Sequence, residues 1–267
     1  MSEYQDLVLN ELGNGVFEIR LDRPERMNAL GVATATALER AVTDLTAKRA
    51  RVLLLRGSGR AFCAGADLKE RKGMDLAGML QHNARIRAAI DKIASAHFVT
   101  IAVMNGLAMG GGVELALACD MRIAKAGISL GLTESRVGAF PGGGGTQRLP
   151  RIVGVARALQ LMLLGEPVTS EYALEIGLVN EVLPEDELDG RAIALATTLA
   201  SRSAPALAAI KGLVYQGIEL PLEAALRFER AALPEILGSA DYAEGLTAFA
   251  EKRPPQFKEP VPEKSWR

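Results

Sequence analysis

The stretch "RVLLLRG", residues 51–57, sets the first limit on what this chain can become. Four apolar residues in a row, Val52 to Leu55, leave no face for water, the pattern of a strand buried on both sides within a mainly parallel sheet. Its surroundings agree. "LVLNE" and "GVFEIRL" are short strand candidates around the turn-like "LGNG". Between them and the apolar run, "NALGVATATALERAVTDLTAK" places Ala35, Leu38, Val42 and Leu45 at helical spacing. A second helical stretch covers roughly 79–95, followed by the strand candidates "FVTIAVM" and "MRIAKA". Strands alternating with helices predict an α/β layer architecture.

From about residue 155 the texture becomes helical. Thr169 or Ser170 caps "EYALEI", with Gly177 closing it, and "LVNEVL" is the last strand candidate. Four further helices follow, ended by Pro254–Pro255 and an extended tail, "QFKEPVPEKSWR". The organisation read from this change is a core over 1–200 and a helical region over 201–267, with no internal repeat and no low-complexity linker.

The 31 basic and 32 acidic residues leave a net charge of −1, which offers no bulk attraction to nucleic acid or an anionic membrane. Two cysteines, Cys63 and Cys119, are too few for a disulfide framework and lack metal-site spacing. The N-terminus has neither the basic and apolar regions of a signal peptide nor an arginine-rich leader, and no apolar run reaches the length of a membrane span. A soluble, cytoplasmic protein is expected.

Two glycine-containing segments carry the chemistry. In "AFCAGADLKER", Asp67 is the expected cap of a helix, with Glu70 at the reciprocal capping position, and the N–H of Ala66 is left open after Gly65. In "AMGGGVELALACD", Gly111 stands at the first turn of an apolar helix whose N–H groups and positive dipole end are exposed. Two such donors meeting at one point would form an oxyanion hole. Either segment alone reads better as a plain tight connection, and neither matches a phosphate- or dinucleotide-binding pattern. Glu114, three residues after Gly111, is a carboxylate among apolar neighbours, a costly placement that points to function. Glu134, before "PGGGG", reads by itself as a structural residue.

Together, "FCAGADLKE", "NGLAMGGGVELALACD" and "PGGGGTQRLPR" resemble the enoyl-CoA hydratase/isomerase family, the crotonases, in order over nearly the whole chain. "FCAGADLKER", "ELALACD" and "EKRPP" are most similar to its methylglutaconyl-CoA hydratase branch. The resemblance implies a ββα spiral core bearing an acyl-CoA site, and a C-terminal helical region that builds trimers or hexamers. It implies that the N–H groups of Ala66 and Gly111 hold a thioester oxygen, and that Glu114 and Glu134 are a catalytic pair. The loop of Ala66, Asp67, Leu68 and Lys69 would lie along coenzyme A, and Lys252 would approach its phosphates. The substrate is an acyl-CoA thioester. No separate cofactor is implied, coenzyme A being part of the substrate, and no metal. The expected reaction is hydration of a trans-2-enoyl-CoA, with methylglutaconyl-CoA hydration or double-bond isomerisation as alternatives within the family.

Two readings from other classes compete. RNA binding, known in the branch it resembles, is tied there to lysines on the first long helix; here that face carries Val32, Thr36 and Arg40. A non-catalytic acyl-CoA-binding scaffold is opposed by the intact glutamate pair. His82 and His97 read as packing or surface residues, and Asp120 with Arg122 as a structural pair. Residues around 70–85 and 136–141 are expected to line the acyl pocket.

Overall fold

The computed structural model describes residues 4–262. An antiparallel hairpin of β1 (Leu7–Gly13) and β2 (Val16–Leu21) opens the fold, followed by helix α1 (Val32–Ala47). A unit of strand, short strand and helix then repeats. It comprises β3 (Val52–Gly57), β4 (Ala61–Cys63) and α2 (Leu76–Ala94), then β5 (Val99–Met104), β6 (Leu107–Met109) and α3 (Gly111–Ala118). The third passage is β7 (Met121–Lys125) and β8 (Ser129–Gly131), a 3-10 turn at Glu134–Val137, and helices α4 (Gly145–Val153) and α5 (Val155–Leu164). Strand β9 (Val168–Thr169), α6 (Ser170–Glu175) and β10 (Glu181–Leu183) lead into α7 (Glu185–Ala200), α8 (Ala204–Gly217), α9 (Leu222–Leu237) and α10 (Ala240–Glu251).

The first strand of each unit joins a six-stranded sheet ordered β1-β2-β3-β5-β7-β10, and the second joins a four-stranded sheet ordered β4-β6-β8-β9. The path is therefore the coiled ββα spiral that the resemblance implied. From β2 to β10 the larger sheet is parallel. Its apolar runs are explained by two cores. Leu53 and Leu55 of β3 face one core with Ala35, Leu38, Val42 and Leu45 of α1, whereas Val52 and Leu54 face another with Ile101, Val103 and Ile123. Helix α7 covers that second face through Leu188, Ala192, Ala196 and Ala200, the small residues letting it approach the sheet closely.

The helix expected at Asp67 does not form. Residues 68–73 are turns, and α2 begins after Asp75, whose Oδ1 accepts the Gly78 N–H at 2.8 Å. The Asp67 N–H donates instead to Leu30 O, and Glu70 Oε2 accepts from Val32 N at 2.9 Å. Helix α1 has Gly31 at its cap and no side-chain cap of its own, so a distant helix claimed the carboxylate meant for a local one. The expected cap of α6 forms, Thr169 Oγ1 accepting from Tyr172 N.

Between α7 and α8 the chain turns by 102°. Lys211 of α8 is tied to Asp120 at 2.6 Å, and Asp120 also accepts from Thr100 and Tyr215. Arg122 does not pair with Asp120 by hydrogen bond. It donates to the carbonyls of Cys119 and Leu178, closing the end of α3. The tail packs back through Glu259, which accepts from Asp241 N, and through Pro262 O on His97; residues 263–267 lie outside the described part. Among the described residues no single helix is long and apolar enough to cross a membrane. On α1, Arg40 lies 5.4 Å from the Tyr4 ring centroid and 3.7 Å from Asp44, so its charge is already engaged.

Candidate active site

Strands β4 and β6 are parallel neighbours, so their ends leave the small sheet side by side. The loop after β4 reaches Gly65, whose φ of +93° suits glycine, and a Cβ there would lie 2.7 Å from Met109 O and 3.1 Å from Gly111 N. This close approach brings two segments nearly fifty residues apart to one point. Ala66 is bridged to Leu30 along one edge, where Gly65 O and Asp67 N are consumed. Its own N–H lies 3.4 Å from where a Cβ on Gly111 would stand. The N–H groups of Ala66 and Gly111 have no acceptor among the described residues, and Gly111 opens α3, at the positive end of its dipole. The two open donors therefore lie close together.

Helix α3 is buried all round, and Glu114 within it is 4% exposed. Its cost is met by the glycine loop. Glu114 Oε1 accepts from Gly143 N at 2.7 Å and from Gly145 N at 2.8 Å. Burial pushes its pKa up, while these two hydrogen bonds and the charges of Arg148 and Arg87 pull the other way. Arg148 is itself held by Gly143 O and by Asp91 at 2.6 Å.

Glu134 opens the 3-10 turn after β8. Its Oε1 presses against Gly110, where φ is +50° and a Cβ would lie 2.8 Å from that oxygen. Its Oε2 is buried with no hydrogen-bond partner among the described residues. Burial, and then the charge of Glu114, raise its pKa to about 6.

Both carboxyl groups, Ala66, Leu68 and Gly111 line one cavity of about 170 Å³. Its remaining wall includes Arg71, Asn83, Val137, Ala139 and Phe140, which fall within the stretches 70–85 and 136–141, and Ile86 just beyond them. Leu68, Val137 and Phe140 are exposed apolar residues of this wall. Asp67 and Lys69 do not line it. Asp67 is buried, bonded to Arg23 at 3.2 Å and to Lys69 N at 3.0 Å, and Lys69 is exposed. Lys252 closes α10 with φ +55° and is likewise absent from the cavity wall. The sequence marks Gly142 to Gly145 only as a loop or turn near the substrate, not as donors to Glu114, and Arg71 is not singled out in it. A signal for the first existed: a buried carboxylate needs donors, and "PGGGG" ahead of a helix supplies open N–H groups.

Comparison with known proteins agrees with this geometry. The model of the family described as enoyl-CoA hydratase/isomerase matches residues 11–260. A mouse (Mus musculus) relative, enoyl-CoA hydratase domain-containing protein 2, mitochondrial, is 39% identical over 261 residues, covering 96% of this chain and 88% of the relative. The mitochondrial methylglutaconyl-CoA hydratase of Rattus norvegicus is 38% identical over 256 residues, covering 94% and 81%. The crystal structure of an enoyl-CoA hydratase from Bacillus anthracis superposes with a TM-score of 0.93 at 39% identity, over 95% of this chain and 99% of that one. A crotonase fold with two carboxyl groups and two open N–H donors on one cavity is thus joined to a match over nearly the full length, and the chain belongs to the enoyl-CoA hydratase/isomerase family.

Proposed function

We propose that this protein hydrates a trans-2-enoyl-CoA to a 3-hydroxyacyl-CoA. The observation that carries the reading is that Glu114 and Glu134 both line a cavity that also holds Ala66 and Gly111, whose N–H groups are open. The thioester oxygen lies between those donors, which stabilise it as it gains charge; removing one such donor typically costs about 2.7–4 kcal/mol of transition-state stabilisation. Polarisation makes C3 electrophilic. Water adds there while Glu114 takes its proton, and Glu134 delivers a proton to C2.

The roles follow from what holds each acid. Two backbone donors on Oε1 favour the ionised form of Glu114 and leave Oε2 to accept the proton of water. The unpartnered oxygen and raised pKa of Glu134 favour the form that carries a proton. After addition Glu114 is protonated and Glu134 ionised, and proton exchange resets the coupled pair. The Ala66–Lys69 loop is proposed to lie along coenzyme A and Lys252 to meet its phosphates. Trimers or hexamers are proposed to form through α8–α10. The methylglutaconyl-CoA relative supports a branched, short acyl group as one substrate within this reading.

Chelator-treated protein is expected to bleach the enoyl-thioester absorbance of crotonyl-CoA or methylglutaconyl-CoA. No turnover across a panel of 2-enoyl-CoA thioesters would overturn the proposal.

A further inference from the structure

The cavity wall holds a cation whose charge draws the Glu134 pKa down but which makes no hydrogen bond to either acid among the described residues. Arg71, half-buried in the turn before α2, lines the cavity that contains Glu134. Its Nε–H donates to Nδ1 of His82 at 3.2 Å. His82 is only 2% exposed. Since Nδ1 accepts, the ring proton is assigned to Nε2, 3.3 Å from Glu70 Oε2. Glu70 in turn is anchored by the N–H of Val32 at the start of α1. The guanidinium is therefore oriented through a chain of contacts centred on the buried His82, from half-buried Glu70 to His82 to Arg71, rather than left to sweep through solvent. That chain uses Nε alone. The two Nη groups have no acceptor among the described residues, so the fork that pairs with a carboxylate is free beside the acyl pocket.

We propose that Arg71 is a specificity-determining residue that binds a carboxylate on the acyl chain of the substrate, and that this hydratase therefore prefers 2-enoyl-CoA thioesters bearing such a group. The inference rests on the hydratase reading above and names its substrate class. The surrounding wall supports it. Leu68, Ile86, Val137 and Phe140 offer an acyl chain only apolar contact, so Arg71 is the cationic anchor available to a charged chain end among the lining residues. Coenzyme A also carries anions, in its phosphates, and a guanidinium would bind those by the same chemistry; the test separates the two.

Glutaconyl-CoA and crotonyl-CoA share coenzyme A and the reacting double bond, and differ by one acyl carboxylate. The wild type is expected to show the higher kcat/KM with glutaconyl-CoA. In Arg71→Met the ratio of the two kcat/KM values should fall by roughly 10- to 100-fold, mainly through KM for glutaconyl-CoA, the usual worth of a charge-assisted hydrogen bond. Arg71→Lys should recover part of the ratio, since it restores the charge without the fork. Equal losses on both substrates would overturn the inference and assign Arg71 to the phosphates or to the support of Glu134. A wild type that favours crotonyl-CoA would also overturn it. Calorimetric binding of the unreactive glutaryl-CoA and butyryl-CoA gives the same comparison without turnover. If neither enoyl thioester reacts, the hydratase reading fails, while a glutaryl-CoA preference lost in Arg71→Met would still sustain the carboxylate site.

Discussion

Glu114 accepts two backbone hydrogen bonds through one oxygen, whereas the buried Oε2 of Glu134 accepts none. Replacing either acid by glutamine keeps its shape and removes proton transfer. Glu114→Gln and Glu134→Gln are each expected to lower kcat by roughly 10²–10⁴-fold with little change in acyl-CoA affinity. The double variant should lose much less than the product of the two, because the pair acts in one addition. Steady-state kinetics with a binding measurement check this, and a Glu134→Gln enzyme within a few-fold of wild type would remove Glu134 from the mechanism. A stability consequence follows from the same residue. Its pKa of about 6 in the folded protein exceeds the ordinary 4.5, so the folded state binds the proton more tightly than the unfolded chain. Stability therefore falls as pH rises from about 4.5 to 6, and the cost of the charge is fully present above that window. After allowance for partial contact with water, Glu134→Gln should stabilise the protein by about 1 kcal/mol at pH 7.5 and hardly at all at pH 4. Denaturant midpoints at the two pH values test the sign.

At the scale of elements, the site is made where β4 and β6 end together and α3 begins. Gly65 holds this junction, with φ +93° and no room for a Cβ against Met109 O. Gly65→Ala should cost about 1–2 kcal/mol from the left-handed backbone alone. By shifting Ala66 N away from Gly111 N it should also lower kcat by roughly 10²–10³-fold, the worth of one oxyanion donor. Kinetics and thermal unfolding on one preparation separate the two effects, and an alanine variant with near-normal kcat would contradict the assignment of these donors. The junction was largely legible in the sequence. Gly65 before Ala66 and Gly111 before Glu114 are local patterns, and the helix dipole needs no tertiary information. The misplaced helix at Asp67 shows where local reading ends. Its capping pattern was sound chemistry, but α1 lacked a side-chain cap, and Glu70 answered the distant N–H of Val32.

Over the whole molecule, the spiral buries both faces of the parallel sheet but leaves the outer helices incompletely covered. Ile210 of α8 is 60% exposed, Leu222 of α9 74%, and Phe249 of α10 86%. Apolar surface of this extent on three successive helices is what an assembly covers. Sedimentation is expected to give trimers or hexamers, and a stable, active monomer would contradict that expectation. Lys252 closes α10 outside the cavity wall. Its proposed contact with coenzyme A phosphates would therefore lie beyond that wall.

The α/β alternation, the strands buried on two faces, the run of C-terminal helices and the isolated acid of α3 were all determined by the sequence itself. Apolarity and periodicity are local quantities, and they state which face of an element must leave water. They do not state which distant residue will lie against it. Only the tertiary structure decided that Gly143 and Gly145 would hold Glu114, that one oxygen of Glu134 would be buried without a partner among the described residues, and that His82 would orient Arg71 beside the cavity. Parallel crossovers bring these groups together across tens of residues, and their hydrogen bonds and altered pKa values arise only once that approach has removed water.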